Sequence, residues 1–220
     1  MKPLEDYSDI RGFCYSGGYR VPEEQLKREL GYAGSLRLNS TRIWLSEREY
    51  RKAPGDFLKK LCSFVETAWE AGISTMPILF NGNGLHPGDL EQGYEEYAKN
   101  YIKDVVQALR GEPGLLMWDV MNEPSCNDYI LEAEGEERKA RWEKVNEFLR
   151  RSCDKVRRLD NVNAVTIGHT YMSDVEVLSE TQTSNRQYLL YAQAQTNPLA
   201  PILQRMFRRQ SAPFQYNPQH

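Results

Sequence analysis

The sequence predicts an α/β protein built around a parallel sheet, and two observations lead to that fold class. Short β-rich runs alternate with longer amphipathic stretches between residues 11 and 170. The largely apolar run Leu115–Met121 is typical of a strand buried on both faces, and it stops at Asn122, Glu123 and Pro124. Polar residues at the end of a buried strand are where α/β folds keep their chemistry.

Five segments have the composition of strands and are bounded by turn-forming or polar residues. These predicted strands cover residues 11–18, 39–46, 73–81, 115–121 and 163–170. Pro77 interrupts the third of them. Runs of this kind, separated by helices, indicate βαβ units and therefore parallel pairing.

Four amphipathic helices are predicted between the strands, over residues 22–36, 54–72, 95–111 and 136–160. The first has Pro22 and two glutamates in its opening turn, which favours a helix start. The second repeats apolar residues at three- and four-residue steps and is followed by Gly72, a typical helix terminator. The fourth is rich in charge, which predicts a solvated outer face.

Two architectures fit this order of elements, an open doubly wound sheet and a (β/α)8 barrel. A nucleotide-binding open sheet usually has a glycine-rich turn after its first strand, but Gly17 and Gly18 do not give the G-x-G-x-x-G spacing. Several predicted strands end instead in polar residues, which is typical of a barrel mouth. Those residues are Ser16, Ser46, Asn81, Asn122 with Glu123, and His169.

The composition excludes several partners. The 220 residues are 40% apolar and 27% charged, with a formal net charge of -3, so nothing favours binding to nucleic acid or an anionic membrane. There is no run of about 18 apolar residues and no apolar leader after the N-terminus, which predicts a cytoplasmic protein. The four cysteines are widely spaced, so we expect no disulfide framework and no zinc site. We also expect no cofactor.

Two motifs resemble a known family. The motif WDVMNEP, Trp118–Pro124, looks like the strand-four signature of retaining glycosidases built on the (β/α)8 barrel, and NSTRIWLS, Asn39–Ser46, is similar to their Arg-bearing second strand. The resemblance is to glycoside hydrolase family 5, which includes cellulases, mannanases and xylanases, and it extends over about three quarters of the chain. It implies a partial barrel of about five βα units and a hydrolase that acts on oligo- or polysaccharides.

The resemblance also implies a role for each matching residue. Glu123 would be the general acid/base, and Asn122 would hydrogen-bond the sugar hydroxyl beside the anomeric carbon. Arg42 would orient carboxylates at the floor of the site. By their position at strand ends, Asn81 and His169 would line the mouth. The structural alternative for Glu123 is a place in the first turn of a helix, facing its positive dipole.

Aromatic residues near these motifs are candidate platforms for sugar rings. Trp44, Trp118 and Tyr15 have the flat faces that such stacking needs. The alternative for the two tryptophans is a place in the core. Arg42 likewise has a structural alternative, an ion pair with Asp119.

The composition changes near residue 180. All 31 Asp and Glu residues lie in residues 1–180, which carry a formal charge of -7, whereas residues 181–220 carry four Arg, eight Gln and no carboxylate. We read 1–180 as the N-terminal part of a glycosidase barrel, and 181–220 as an atypical basic tail that is out of frame or disordered. In the resembled family the nucleophilic glutamate lies on the seventh strand, so we expect weak or absent catalysis and self-association through exposed barrel edges. The alternative is a carbohydrate-binding protein derived from such a barrel.

Overall fold

A computed structural model describes residues 7–85, 87–91 and 94–169 of the chain. Five parallel strands form one sheet in the order β1-β2-β3-β4-β5. They are β1 (Gly12–Cys14), β2 (Ser40–Trp44), β3 (Ser74–Asn81), β4 (Met117–Asn122) and β5 (Ala164–Gly168). All five predicted strands are therefore confirmed. The predicted boundary at residue 180 and the basic tail lie outside the described residues.

Seven α-helices are found in the described part of the chain. They are α1 (Glu23–Ser35), α2 (Glu47–Lys52), α3 (Pro54–Glu70), α4 (Pro87–Glu91), α5 (Asn100–Leu109), α6 (Asp128–Leu131) and α7 (Gly135–Leu159). Short turns of 3-10 helix at Gly18–Arg20 and Gly82–Gly84 and a π-helical turn at Glu95–Lys99 complete the described elements. None of these helices is both long enough and apolar enough to cross a membrane.

The strand order decides between the two predicted architectures. Strands that are consecutive in the chain are neighbours in the sheet, and every pair is parallel. Right-handed crossovers then place all the connecting helices on the same face of the sheet. A doubly wound sheet reverses its strand order part-way and carries helices on both faces. The observed order is that of successive βα units in a (β/α)8 barrel.

The helical face of the sheet carries the hydrophobic core. Large side chains such as Trp118, Phe64 and Tyr101 are fully buried between the strands and helices α3, α5 and α7. On β3, Met76 and Ile78 are buried but do not belong to this core cluster. They lie in register with Arg42 and Trp44 of β2, so these four side chains share a face. We refer to this face, opposite the helices, as the inner face of the sheet.

Local signals in the sequence explain where the helices end. Gly72 follows α3 with a φ of 77°, and the N–H of Ile73 donates to the carbonyl of Ala68 over 2.9 Å. This is the glycine-terminated helix end that the sequence predicts. On the exposed face of α7, ion pairs three or four residues apart, such as Arg141 with Glu137, confirm the predicted solvated surface.

The secondary structure differs from the prediction at β1 and in three short helices, α2, α4 and α6, that the sequence does not predict. β1 stops at Cys14 instead of residue 18, because Gly17 adopts a φ of 73° and the chain turns into a 3-10 helix. Helix α2 is not predicted from the periodicity, since it has only six residues. Its start carries a recognisable signal, because Ser46 caps it and accepts a hydrogen bond from the N–H of Glu49 over 3.2 Å.

Candidate active site

The predicted site residues come from four adjacent strand ends. Because the strands are parallel, their carboxyl ends lie along one edge of the sheet. Strands β2 to β5 end at Trp44, Asn81, Asn122 and Gly168, and Glu123 and His169 are the next residues after the last two. Asn122 is in register with Asn81 on one side and with Gly168 on the other.

The inner face carries a buried ion pair. Nε and Nη2 of Arg42 donate to Oδ2 of Asp119 over 2.9 and 2.5 Å. Arg42 is on β2 and Asp119 on β4, so the pair spans β3. The Asp119 side chain is fully buried and that of Arg42 is 12% exposed. Two bonds from one planar guanidinium fix its orientation more tightly than a single contact would.

Asp119 is held from a second direction as well. Its Oδ1 accepts the backbone N–H of Gly168 over 3.2 Å. Burial raises the pKa of the Asp119 carboxyl, and the Arg42 guanidinium and the Gly168 N–H both oppose that rise. The structural reading of Arg42 as the ion-pair partner of Asp119 is therefore confirmed, and a role towards substrate stays a prediction.

A side-chain amide pair lies at the ends of β3 and β4. Nδ2 of Asn122 donates to Oδ1 of Asn81 over 3.1 Å. Asn122 is buried and Asn81 half-buried. The bond fixes the orientation of the Asn122 amide next to Glu123, since an amide held on one side cannot rotate freely.

Glu123 has an unusual backbone conformation. Its φ is 50°, in the left-handed region that residues with a side chain rarely adopt. Its N–H donates to the carbonyl of Gly168 over 2.6 Å, and its own carbonyl accepts the N–H of Cys126 over 3.0 Å. Strained backbone of this kind costs about 1–3 kcal/mol and persists where the surroundings impose it. The residue is half-buried.

Gly82 makes room for this conformation. A Cβ atom at Gly82 would lie 2.0 Å from the carbonyl oxygen of Glu123, a distance at which atoms overlap. The turn after β3 and the turn after β4 are therefore packed backbone to backbone. Helix α6 starts only at Asp128, so the alternative in which Glu123 sits in the first turn of a helix is wrong.

The three aromatic candidates lie on different faces of the sheet. Trp44 is half-buried on the inner face, and the guanidinium carbon of Arg42 lies 5.2 Å from the centre of its ring. Trp118 is fully buried on the helical face, so its proposed role as a sugar platform is wrong. The Tyr15 hydroxyl bonds to Glu29 of α1 and its ring packs against Phe64 of α3, so it faces the helices too.

Sequence reasoning missed the two glycines of the site and used Asp119 only as a structural partner. A single acidic residue inside an apolar strand is a usable signal, because a buried carboxylate needs a partner. Gly82 and Gly168 carry no signal in sequence, since their importance depends on close approach of other chain segments. His169 is buried at the end of β5, as its position predicts.

The described residues do not form a cluster of side chains that could bind a metal ion. No group of three or more His, Cys, Asp or Glu side chains with ligand geometry occurs in the described ranges. The charged groups identified at the strand ends are Glu123 and the Arg42–Asp119 pair, and the pair neutralises itself. The arrangement thus offers one carboxyl group beside two amides, a chemistry that suits proton transfer and hydroxyl recognition.

Comparison with known proteins gives the family. A family model described as cellulase (glycosyl hydrolase family 5) matches residues 16–198, which is more than half of the chain. The chain belongs to glycosyl hydrolase family 5. The resemblance inferred from the Trp118–Pro124 motif is therefore confirmed. A comparison with curated protein sequences gives no match.

Solved structures similar to this family 5 chain include three glycosidases. An endo-1,4-β-mannanase from Thermotoga petrophila has a TM-score of 0.57 and 19% identity, over 73% of this chain and 55% of that one. The β-mannanase of the blue mussel Mytilus edulis gives 0.55 and 19%, over 83% and 64%. An endoglucanase from Pseudomonas stutzeri gives 0.55 and 17%, over 74% and 53%. At such identities the likeness shows the fold, which is part of a (β/α)8 barrel.

The lengths of these relatives matter for function. The family 5 chain spans 53–64% of the length of the three structures. The described residues supply five of the eight strands of a complete barrel, with the helical connections between them. The fold and the family therefore follow from the comparisons, whereas activity and substrate require a separate argument.

Proposed function

We propose that Glu123 is the general acid/base of a site that cleaves β-glycosidic bonds with retention of configuration. The observation that carries the proposal is the position of Glu123, directly after β4, in a left-handed conformation fixed by Gly82 and by the Gly168 carbonyl. Backbone strain that neighbouring segments impose is a marker of functional sites. Membership of glycosyl hydrolase family 5 supports the same reading.

The neighbouring residues have complementary roles in this proposal. Asn122, oriented by Asn81, bonds the hydroxyl beside the anomeric carbon. Arg42 orients carboxylates at the floor of the site, and Trp44 offers a half-buried ring to a sugar. His169, at the end of β5, borders the same mouth.

A retaining mechanism needs a second carboxylate as nucleophile, roughly 5–5.5 Å from the first. Asp119 does not suit this role, because it is fully buried and both its oxygens already accept hydrogen bonds. By family resemblance the nucleophile belongs to the seventh strand, and residues 181–220 contain no Asp or Glu. We therefore propose that the 220-residue chain binds oligosaccharides but turns them over slowly or not at all.

Binding and turnover measured on the same preparations test this proposal. Calorimetric titration with manno- and cello-oligosaccharides should show binding by the parent chain. Glu123→Gln should weaken it, whereas Glu132→Gln, at an exposed position, should not. Aryl β-glycosides should show little release of aglycone. Rapid turnover that survives Glu123→Gln would contradict the assignment of the acid/base.

The alternative function is carbohydrate binding without catalysis, which the lack of a second carboxylate in residues 181–220 favours. A longer protein that includes eight barrel strands and a seventh-strand glutamate distinguishes the two. Activity in the longer protein, lost by several powers of ten on Glu123→Gln and best recovered with very good leaving groups, would support the glycosidase. An inactive longer protein that still binds sugar would support the alternative.

The remaining parts of the proposal concern partners and location. The mannanases and the endoglucanase among the similar structures make β-mannan and β-glucan the first polysaccharides to test. We also propose a cytoplasmic location and self-association through the barrel edges. Light scattering over a concentration series checks the second point, since a constant monomer mass would contradict it.

A further inference from the structure

Gly168 contacts both the Arg42–Asp119 pair and the backbone of Glu123. Its N–H donates to Oδ1 of Asp119 over 3.2 Å, and its carbonyl accepts the N–H of Glu123 over 2.6 Å. A Cβ atom on Gly168 would lie 2.4 Å from Nη2 of Arg42 and 3.1 Å from Oδ2 of Asp119. The guanidinium of Arg42 therefore occupies the volume that a side chain at Gly168 would fill.

We propose that Gly168 is a positioning residue of the site. Because Gly168 has no side chain, it leaves the space in which the Arg42 guanidinium binds Asp119. The proposal rests on the proposed function, because it assumes that the Arg42–Asp119 pair serves the site of Glu123. Gly168 then connects two parts of that site, since it borders the ion pair and also holds the backbone of the proposed acid.

Backbone conformation does not explain the glycine. The φ angle of Gly168 lies outside the left-handed region, unlike those of Gly17, Gly72, Gly111 and Gly135. An alanine could adopt the same backbone without strain. The only conflict is with the neighbouring side chains, and the closest atom is the far end of a flexible one. We therefore expect Gly168→Ala to move the Arg42 guanidinium and to leave the strand in place.

Displacing the guanidinium has a defined consequence. Asp119 is fully buried, and Arg42 is the cation bonded to it. A buried carboxylate without its cation is costly, so Arg42 will keep some contact in a new orientation. That orientation alters which guanidinium N–H groups face the mouth, while the core packing on the other face of the sheet is unchanged.

The first experiment observes Arg42 directly in the full chain. In the parent, the Nε–H proton of Arg42 should give a shifted NMR signal protected from exchange, because it bonds to Asp119 over 2.9 Å. Gly168→Ala should shift this signal or remove its protection. Gly12→Ala is the matched control, since a Cβ there would lie 3.6 Å from its nearest neighbour and the residue is also in a strand. An unchanged signal in Gly168→Ala would overturn the proposal.

The second experiment asks whether Gly168 acts through Arg42. Gly168→Ala should weaken oligosaccharide binding about tenfold in the parent but less than twofold in an Arg42→Lys background, where Nη2 is absent. Equal losses in both backgrounds would overturn the proposal. If Gly168→Ala alone fails to fold, the double variant Gly168→Ala with Arg42→Lys should fold. A double variant that also fails to fold would overturn the proposal. A parent that binds no sugar contradicts the proposed function, while the Nε–H signal still decides the role of Gly168.

Discussion

Two buried aspartates, Asp119 of strand β4 and Asp160 after helix α7, lie on opposite faces of β4 and differ in what they bind. Trp118 and Asp119 are consecutive, so their side chains point to opposite faces of the sheet. On the helical face, Trp118 donates its Nε1–H to Asp160 over 2.8 Å. On the inner face, Asp119 binds Arg42. Both carboxyl groups are removed from water, Asp160 with 5% and Asp119 with 0% exposure.

The donors around the two carboxyl groups set their roles. Among the described residues, Asp160 accepts hydrogen bonds from neutral N–H groups, those of Trp118 and of the backbone of Val162 and Asn163, the last two over 3.0 and 3.1 Å. It therefore closes the turn between α7 and β5 and fastens it to β4. Asp119 instead forms an ion pair with Arg42, which belongs to strand β2. One carboxylate ties local backbone together, whereas the other orients a charged side chain in the candidate site.

The largest effect is expected on removing Asp119. Asp119→Ala should lower the free energy of unfolding by about 3–5 kcal/mol, because it leaves the Arg42 guanidinium largely buried without its counter-charge. Urea denaturation followed by circular dichroism measures the change. A loss under about 1 kcal/mol would mean that the pair is solvated and would remove the contrast with Asp160.

An apolar double variant sharpens the result. Replacing both partners, Arg42→Met with Asp119→Leu, should recover much of the lost stability, since no buried charge remains unpaired. Oligosaccharide binding should not recover with it, because the oriented guanidinium N–H groups of the site are gone. If binding returns with stability, the ion pair serves the fold alone.

A smaller effect is expected for Asp160. Asp160→Ala should cost about 1–3 kcal/mol, since it leaves the buried Nε1–H of Trp118 without an acceptor. Oligosaccharide affinity should stay within twofold of the parent, because the change lies on the helical face. Both quantities come from the denaturation and titration experiments used for Asp119. A loss of affinity larger than that of Asp119→Ala would reverse the proposed assignment of the two faces.

The sequence predicts the architecture and the strand-end residues for a physical reason. Strand and helix periods are local properties, so all five strands and the four longer helices can be recognised without tertiary information. The strand-end position of Glu123 follows from the same patterns, because parallel strands align their carboxyl ends. Helix α2 is too short to show a period, and only its Ser46 cap reveals it.

What the sequence does not predict depends on contacts between distant segments. A side chain at Gly82 would overlap the carbonyl of Glu123, and a side chain at Gly168 would overlap the guanidinium of Arg42. Neither contact leaves a trace in the local pattern of residues. Trp118 illustrates the same limit, because its motif suggests the site while the pleat of β4 turns its ring into the core.

The smallest effect concerns a third aspartate, Asp104, which accepts the Tyr50 hydroxyl over 2.6 Å. Burial, together with this hydrogen bond and the negative charge of Asp104, raises the pKa of Tyr50 from 10.0 to about 12. The folded-state pKa lies above the unfolded-state value. The contribution of the phenol to stability is therefore complete below pH 10 and is lost as the pH rises towards 12.

Tyr50→Phe tests this contribution by removing the titrating group and keeping the ring. The difference in free energy of unfolding between parent and variant should be smaller at pH 11 than at pH 9, by at most about 1.3 kcal/mol. The ring contacts of Tyr50 with Phe57 and Tyr101 persist in the variant and so cancel in the comparison. If the difference in free energy of unfolding grows with pH, the folded protein stabilises the phenolate form of Tyr50. That result would contradict a neutral phenol that donates a hydrogen bond to Asp104.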